Sequence, residues 1–282
     1  MKLLLNNSKS IISQNNKIDV LNNGQEKFSK LIEALKKARH HIHIEYYIFE
    51  FDDIGQTICD LLKEKAQTGV EIRMIIDHVG SWHFPNTEIK RLKSAGVQVI
   101  KFMPVTFPYL TSKINYRNHR KIVVIDGSTG FVGGINVADK YIHGTQRLGA
   151  WRDMHLQITG NAVHSLQTVF LTDWYFLTRT LPIDEIYFPE IKVDSKSIVQ
   201  IASSGPDSSW AGIMQTYFAA IATARKYIYI ATPYLLPNPS LLTALKTASL
   251  SGVDVQLIIP RKSDSRIVSY ASLSFVSELL NA

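Results

Sequence analysis

Two hydrophobic periods alternate along the chain. Residues 25–39 carry Phe28, Leu31, Ile32 and Leu35 at helical spacing, and residues 41–49 follow with the content of a strand. The same grammar recurs: helix 54–66, Gly69, strand 70–77, then helix 88–94, Gly96, strand 97–102. Strands are expected at 121–126 and 154–159, with 130–136 as a hairpin partner to the first. A long helix carrying Val163, Leu166, Phe170, Leu171 and Trp174 comes next. Beyond it lie strand 198–203, helix 210–224, strand 226–231, helix 241–250, strand 253–259 and helix 267–280. Alternation of this kind predicts an α/β layered fold.

The pattern also repeats. Ala38-Arg39-His40-His41-Ile42-His43-Ile44 aligns with residues 224–230 at an offset of 186. Residues 69–76 align with 252–259 at 183, and 92–95 with 279–282 at 187. Three ordered matches at nearly constant offset predict a duplicated unit whose second copy is incomplete. Four segments follow: a polar, Asn-rich stretch 1–23 read as a tether or edge strand, a first unit 24–183, a linker 184–196 and a second unit 197–282.

Composition narrows the class. Of 282 residues, 45% are hydrophobic and 20% charged, which excludes wholesale disorder. The single Cys59 excludes a disulfide framework and a cysteine metal cluster, and its apolar neighbours predict a buried small hydrophobe. No run approaches the roughly 18 apolar residues of a membrane span. Net charge is +7, from 31 basic against 24 acidic residues, which suits an anionic partner. Residues 113–121 hold Lys113, Arg117, His119, Arg120 and Lys121 with no acid among them.

That basic run leads into Asn118-His119-Arg120-Lys121-Ile122-Val123-Val124-Ile125-Asp126-Gly127. His119 and Lys121 are two apart at a strand start, so both side chains leave one face. An imidazole beside an ammonium suits a phosphate, one group attacking phosphorus while the other neutralises its oxygens. Asp126 is placed to cap the turn or orient a histidine. In Gly130-Phe131-Val132-Gly133-Gly134-Ile135-Asn136, Gly133 and Gly134 permit close approach to a ligand and Asn136 offers an amide to phosphate. Asp153 and His155 share a strand face as weaker candidates, a salt bridge of Asp153 with Arg152 being the plain alternative. Glu45 and Tyr47 share a face that lines the cleft, or Tyr47 is core.

His119-x-Lys121-x4-Asp126 resembles the HKD motif of the phospholipase D superfamily. Flanking stretches 115–121, 131–136, 151–155, 204–208 and 263–266 are similar to bacterial cardiolipin synthases of that type. The resemblance implies a phospholipase D-like α-β-α sandwich and phosphatidyl transfer between two phosphatidylglycerol molecules through a phosphohistidine, without cofactor or metal. It implies His119 as nucleophile or acid/base, Lys121 and Asn136 as phosphate ligands, and Asp126 as support. It also implies an anionic membrane surface as partner, a bacterial cell-membrane location for the complete protein, and no nucleic acid. The chain departs from the family at both ends: hydrophobic segments do not precede it and a second HKD motif does not follow. A fragment is therefore expected, inactive alone, because one imidazole cannot be base and acid at once. The alternatives are a phospholipase D-type phosphodiesterase or nuclease, or an inactive phosphate- or lipid-binding fragment. The apolar loop 103–110, with Phe107 and Tyr109, either dips into lipid with Lys113 and Arg117 at the headgroups or packs over the cleft.

Overall fold

From the N-terminus, α1 (Lys2–Ser8) precedes β1 (Ile12–Leu21), α2 (Gly24–Lys37), β2 (His41–Tyr46), α3 (Asp53–Gln67) and β3 (Glu71–Asp77). Next come α4 (Asn86–Ser94), β4 (Gln98–Phe102), β5 (Lys121–Ile125), β6 (Thr129–Gly133), α5 (Lys140–His143), β7 (His155–Gly160) and α6 (Ala162–Thr178). The chain ends with β8 (Ser197–Gln200), α7 (Gly212–Thr223), β9 (Tyr227–Ala231), α8 (Pro239–Leu250), β10 (Asp254–Ile258) and α9 (Arg266–Leu280). This computed structural model describes residues 2–104, 117–205 and 208–282.

The chain divides into two compact units, residues 10–201 and residues 202–282 together with those up to Lys9. The larger unit is one sheet of eight strands, ordered β4-β3-β2-β5-β6-β7-β1-β8. Strands β2, β3 and β4 are parallel, and β5, β6 and β7 continue antiparallel from β2. Alternation along the central strands supplies both faces. Ile42, Ile44, Val123 and Ile125 join Phe28, Leu31, Ile58 and Leu62 of α2 and α3 on one side. Ile122, Val124 and Ile158 meet Val163 and Leu166 of α6 on the other. Helix, sheet and helix layers result, as the sandwich expectation requires. Cys59 is fully buried in the first layer, and burial pushes its thiol up to about 12.

The termini of the units depart from expectation. Within the polar stretch before Asn23, residues 12–21 form β1, paired on both sides by β7 and β8, so this part is neither tether nor edge. It shows no apolar alternation because most of its residues are not buried. Its anchor is polar: Asn16, fully buried, donates to the carbonyls of Ser13 and Ser197 and accepts from Ala162 N at 2.7 Å. Strand β8, expected in the second unit, belongs to this sheet. The expected linker is tied to the larger unit as well, since Tyr187 is buried against His41 and His43.

In the smaller unit, β9 and β10 pair parallel, and Ile221, Ile228, Leu245 and Ala248 form a small core. Its register reproduces the repeat. Tyr227 faces Asp254 as His41 faces Glu71, the partners lying 186 and 183 residues on, the offsets of the sequence alignment.

Candidate active site

Open α/β sheets bind ligands beyond the carboxyl ends of their parallel strands. Strand β5 runs antiparallel to β2, so its start lies at that end, with Lys121 opposite Tyr46 and β3 ending close by at Asp77. The site is assembled there.

Lys121 Nζ lies 3.0 Å from His119 Nδ1 and donates to the His119 carbonyl at 2.6 Å. Lys121 is 4% exposed, whereas His119 opens to solvent. Burial lowers the Lys121 ammonium to about 8, with the Asp153 carboxylate opposing the shift. Burial, then the Lys121 charge, also lowers His119, with Asp77 opposing. Near neutral pH the pair is therefore a neutral imidazole beside a mostly protonated amine. Tyr47 lies against it, its ring centroid 4.7 Å from that of His119 and 5.4 Å from Lys121 Nζ. Tyr47 is half-buried beside the pair and is not a core residue.

Beneath the pair is a polar layer that sequence reasoning missed. Asn118 N donates to Asp77 Oδ2 at 3.1 Å, and Asp77 also accepts from Val79 N and Gly80 N, each at 2.9 Å. The Asn118 side chain donates to Glu45 and to Asp173, and Asp173 accepts from Arg120 at 2.6 Å. Glu45 is thus a buried support, not a cleft wall, and burial followed by Asp173 raises its carboxyl well above the ordinary range. Two carboxylates stood out in the sequence without being singled out: Asp77 ending an apolar strand and Asp173 inside an apolar helix.

Other expected residues stand elsewhere. Asp126 follows the end of β5, five residues beyond Lys121 and roughly 16 Å away along an extended strand. With φ at 51°, its carboxylate accepts from the backbone N–H groups of Arg39, His40 and His41 at 2.8–3.0 Å. It holds the start of β2 and neither orients nor touches His119. Asn136 is 5% exposed, and both ends of its amide are engaged, accepting from Ile48 N at 3.0 Å and donating to Tyr141 Oη at 2.9 Å. A Cβ on Gly133 would stand 2.6 Å from His155 Nδ1, and one on Gly134 would meet the Asp153 carboxylate. These two glycines make room for the protein's own side chains, not for phosphate. Asp153 accepts from Met154 N at 2.7 Å, and no ion pair joins it to Arg152 among the described residues. His155 is 1% exposed. Arg117 turns toward Asp77, 3.6 Å away, and donates to the Met103 carbonyl, so it does not project to headgroups. Phe107, Tyr109 and Lys113 lie outside the described residues. Among the described residues, no three His, Cys, Asp or Glu side chains gather as a metal-holding group.

A family model described as "Cardiolipin synthase, PLD-like domain" matches residues 31–174 and 217–282. The cardiolipin synthase of Geobacillus kaustophilus is 49% identical over 265 residues, covering 93% of this chain and 53% of that protein. Cardiolipin synthase 2 of Bacillus cereus is 48% identical over 264 residues, covering 93% and 51%. The chain therefore spans about half the length of the curated relatives it matches. Among solved structures, the phosphatidylserine synthase of Haemophilus influenzae superposes with a TM-score of 0.66 at 16% identity, covering 99% of this chain and 71% of that one. The polyphosphate kinase of Porphyromonas gingivalis gives 0.56 at 14% identity, covering 89% and 40%. Both likenesses concern the fold.

Proposed function

Because the chain belongs to the cardiolipin synthase, phospholipase D-like family, we propose that the complete protein transfers a phosphatidyl group between two phosphatidylglycerol molecules, giving cardiolipin and glycerol. The observation that carries this reading is the His119–Lys121 pair, 3.0 Å apart at the carboxyl ends of the parallel strands. An imidazole held neutral can attack phosphorus or move a proton, and a buried ammonium beside it can neutralise a phosphate oxygen.

The exchange is balanced without an outside energy source. One imidazole nitrogen bonds to phosphorus as the P–O bond to glycerol breaks, and a second imidazole donates a proton to the departing oxygen. The second imidazole then removes the proton of a hydroxyl on the incoming phosphatidylglycerol. That oxygen bonds to phosphorus and the P–N bond breaks. His119 fills one of the two imidazole roles and Lys121 steadies the phosphate in both steps. The sequence holds one His-x-Lys-x4-Asp motif, so the second imidazole has a different origin. The same reading places the complete protein at the anionic membrane surface where its substrate resides. Among the described residues, no helix is long and apolar enough to cross a membrane.

The test supplies phosphatidylglycerol vesicles and, separately, DNA. The complete protein should form cardiolipin and release glycerol, His119→Ala should do neither, and the 282-residue chain alone should be silent. Phosphatidic acid as the sole lipid product, or cleavage of DNA, overturns the transferase reading. Glycerol release by the 282-residue chain, lost in His119→Ala, overturns the need for a second motif.

A further inference from the structure

Helix α2 presents Gly24, Lys27, Phe28, Leu31 and Leu35 to the core. Four of these suit a packed interior, and Lys27 does not. It is fully buried, and its Nζ has no hydrogen-bonding partner among the described residues. Its surroundings are ring faces, with Nζ 3.7 Å from the Phe28 centroid and 4.7 Å from that of Tyr46.

Three further atoms share that condition. Tyr46 Oη and both ring nitrogens of His155 are buried without a partner. Strand register places these groups together behind the reactive pair. Tyr46 stands opposite Lys121, the β5–β6 register continues from Ile122 and Val132 to set Gly133 opposite Lys121, and Gly133 stands opposite His155. One row thus crosses the sheet on the face that α2 covers. The missing side chain at Gly133 lets the His155 ring occupy the space between, where a Cβ would stand 2.6 Å from Nδ1. Lys27 and Lys121 both lie within electrostatic reach of that ring.

Buried polar atoms in proteins nearly always have a partner, and four orphans in one place are a cluster, not scatter. Their chemistry is complementary: a neutral imidazole donates once and accepts once, a phenol does both, and a neutral amine accepts as well as donates. No two of them meet directly, so a small molecule that both donates and accepts must join them, and water fits.

We propose that Lys27, Tyr46 and His155 form a buried water-holding chamber behind Lys121 that hydrates and positions its amine from the protein side. Burial holds Lys27 well below the ordinary lysine range. Burial, then the charges of Lys27 and Lys121, holds His155 well below the ordinary histidine range. Burial thus favours the neutral, accepting form of each group. Lys121 is faced by Tyr46 of β2 and Tyr47 just after it, by His119 two residues ahead of β5, by Asp153, and by His155 at the start of β7. Tyr46 and His155 share the row of Lys121 on the sheet face that α2 covers, and Lys27 reaches the Tyr46 ring from that helix. The importance of this for turnover rests on Lys121 acting at the phosphate, whereas the chamber itself does not.

The test therefore reads Lys121 without substrate. The 282-residue chain is labelled at its lysines with carbon-13, the Lys121 signal is assigned with Lys121→Arg, and its titration is followed beside a high-resolution crystal structure. At least one ordered water should bridge two of the three chamber groups. Lys27→Met should displace it and lower the Lys121 midpoint by about half a pH unit or more, because an apolar wall solvates the ammonium less well. Should Lys27→Met fail to fold, Tyr46→Phe removes one hydroxyl alone and should shift the midpoint the same way. A dry chamber overturns the proposal, as does a midpoint that stays or rises. A protein that transfers no phosphatidyl group leaves this result untouched.

Discussion

The β2–α3–β3 segment of the larger unit and the β9–α8–β10 segment of the smaller one share a backbone and little chemistry. Glu71 N donates to the His40 carbonyl at 2.9 Å, and Asp254 N donates to that of Lys226 at 3.1 Å. Gly69 and Gly252 turn the chain at φ of 92° and 89°. Asp52 and Asn238 cap the intervening helices. Yet where the first has His41, His43 and Glu45, each at most 1% exposed, the second has Tyr227, Tyr229 and Ala231, with the tyrosines 62% and 57% exposed. Covered by α6, the histidines must be wired: Gln167 bridges both, and His43 also meets Arg73. Open to water, Tyr229 needs only one bond, to Asp254 at 2.6 Å. The same skeleton therefore tolerates opposite surfaces, and what is packed over it decides which side chains work.

The widest contrast should come from equivalent core positions. Ile44→Ala should lower stability of the larger unit by about 3–5 kcal/mol, since Ile44 is fully buried. Ile230→Ala, its counterpart in the half-buried core of β9, should cost roughly 1–2 kcal/mol. Native-state hydrogen exchange, which localises each loss, checks both, and equal losses would show that the two segments are equally covered. Next in size is Asp126→Ala, which strips an acceptor from three backbone N–H groups at the start of β2. It should destabilise the larger unit by about 2–3 kcal/mol in urea unfolding while the Lys121 titration stays put. A Lys121 shift would restore Asp126 to the site.

The smallest effect is electrostatic and appears only in acid. Burial disfavours the Glu71 carboxylate, but His43, Tyr187 and Arg73 outweigh it and hold the group at about 2. A depressed folded value means that its contribution is present above the unfolded value of roughly 4.3 and is lost as pH falls toward 2. In Glu71→Gln, thermal stability should accordingly vary less between those limits. An unchanged acid profile would remove the ion pair from the stability of the larger unit.

Elements with strong local signals were legible from residue order. Apolar period, caps and turn glycines marked α2 through β4 and α7 through α9 to within a few residues, because each is satisfied by neighbours close in the chain. The His119–Lys121 pairing was legible for the same reason, two residues apart on one strand. Strand β1 was not, since its pairing depends on β7 and β8 far along the chain and its mid-strand anchor, Asn16, is polar. The roles of Asp126, Asn136, Gly133 and Gly134 were misread together, except that Asp126 keeps the supporting role among those expected of it. Their spacing is that of a phosphate site, but their polar atoms and open spaces are already filled by His41, Tyr141, His155 and Asp153. By itself, then, the order of residues determined the repeated skeleton, the family and the reactive pair, all properties of short stretches. Tertiary structure alone decided which polar groups face substrate and which face each other, because burial and partnership depend on strands and helices brought together from opposite ends of the chain.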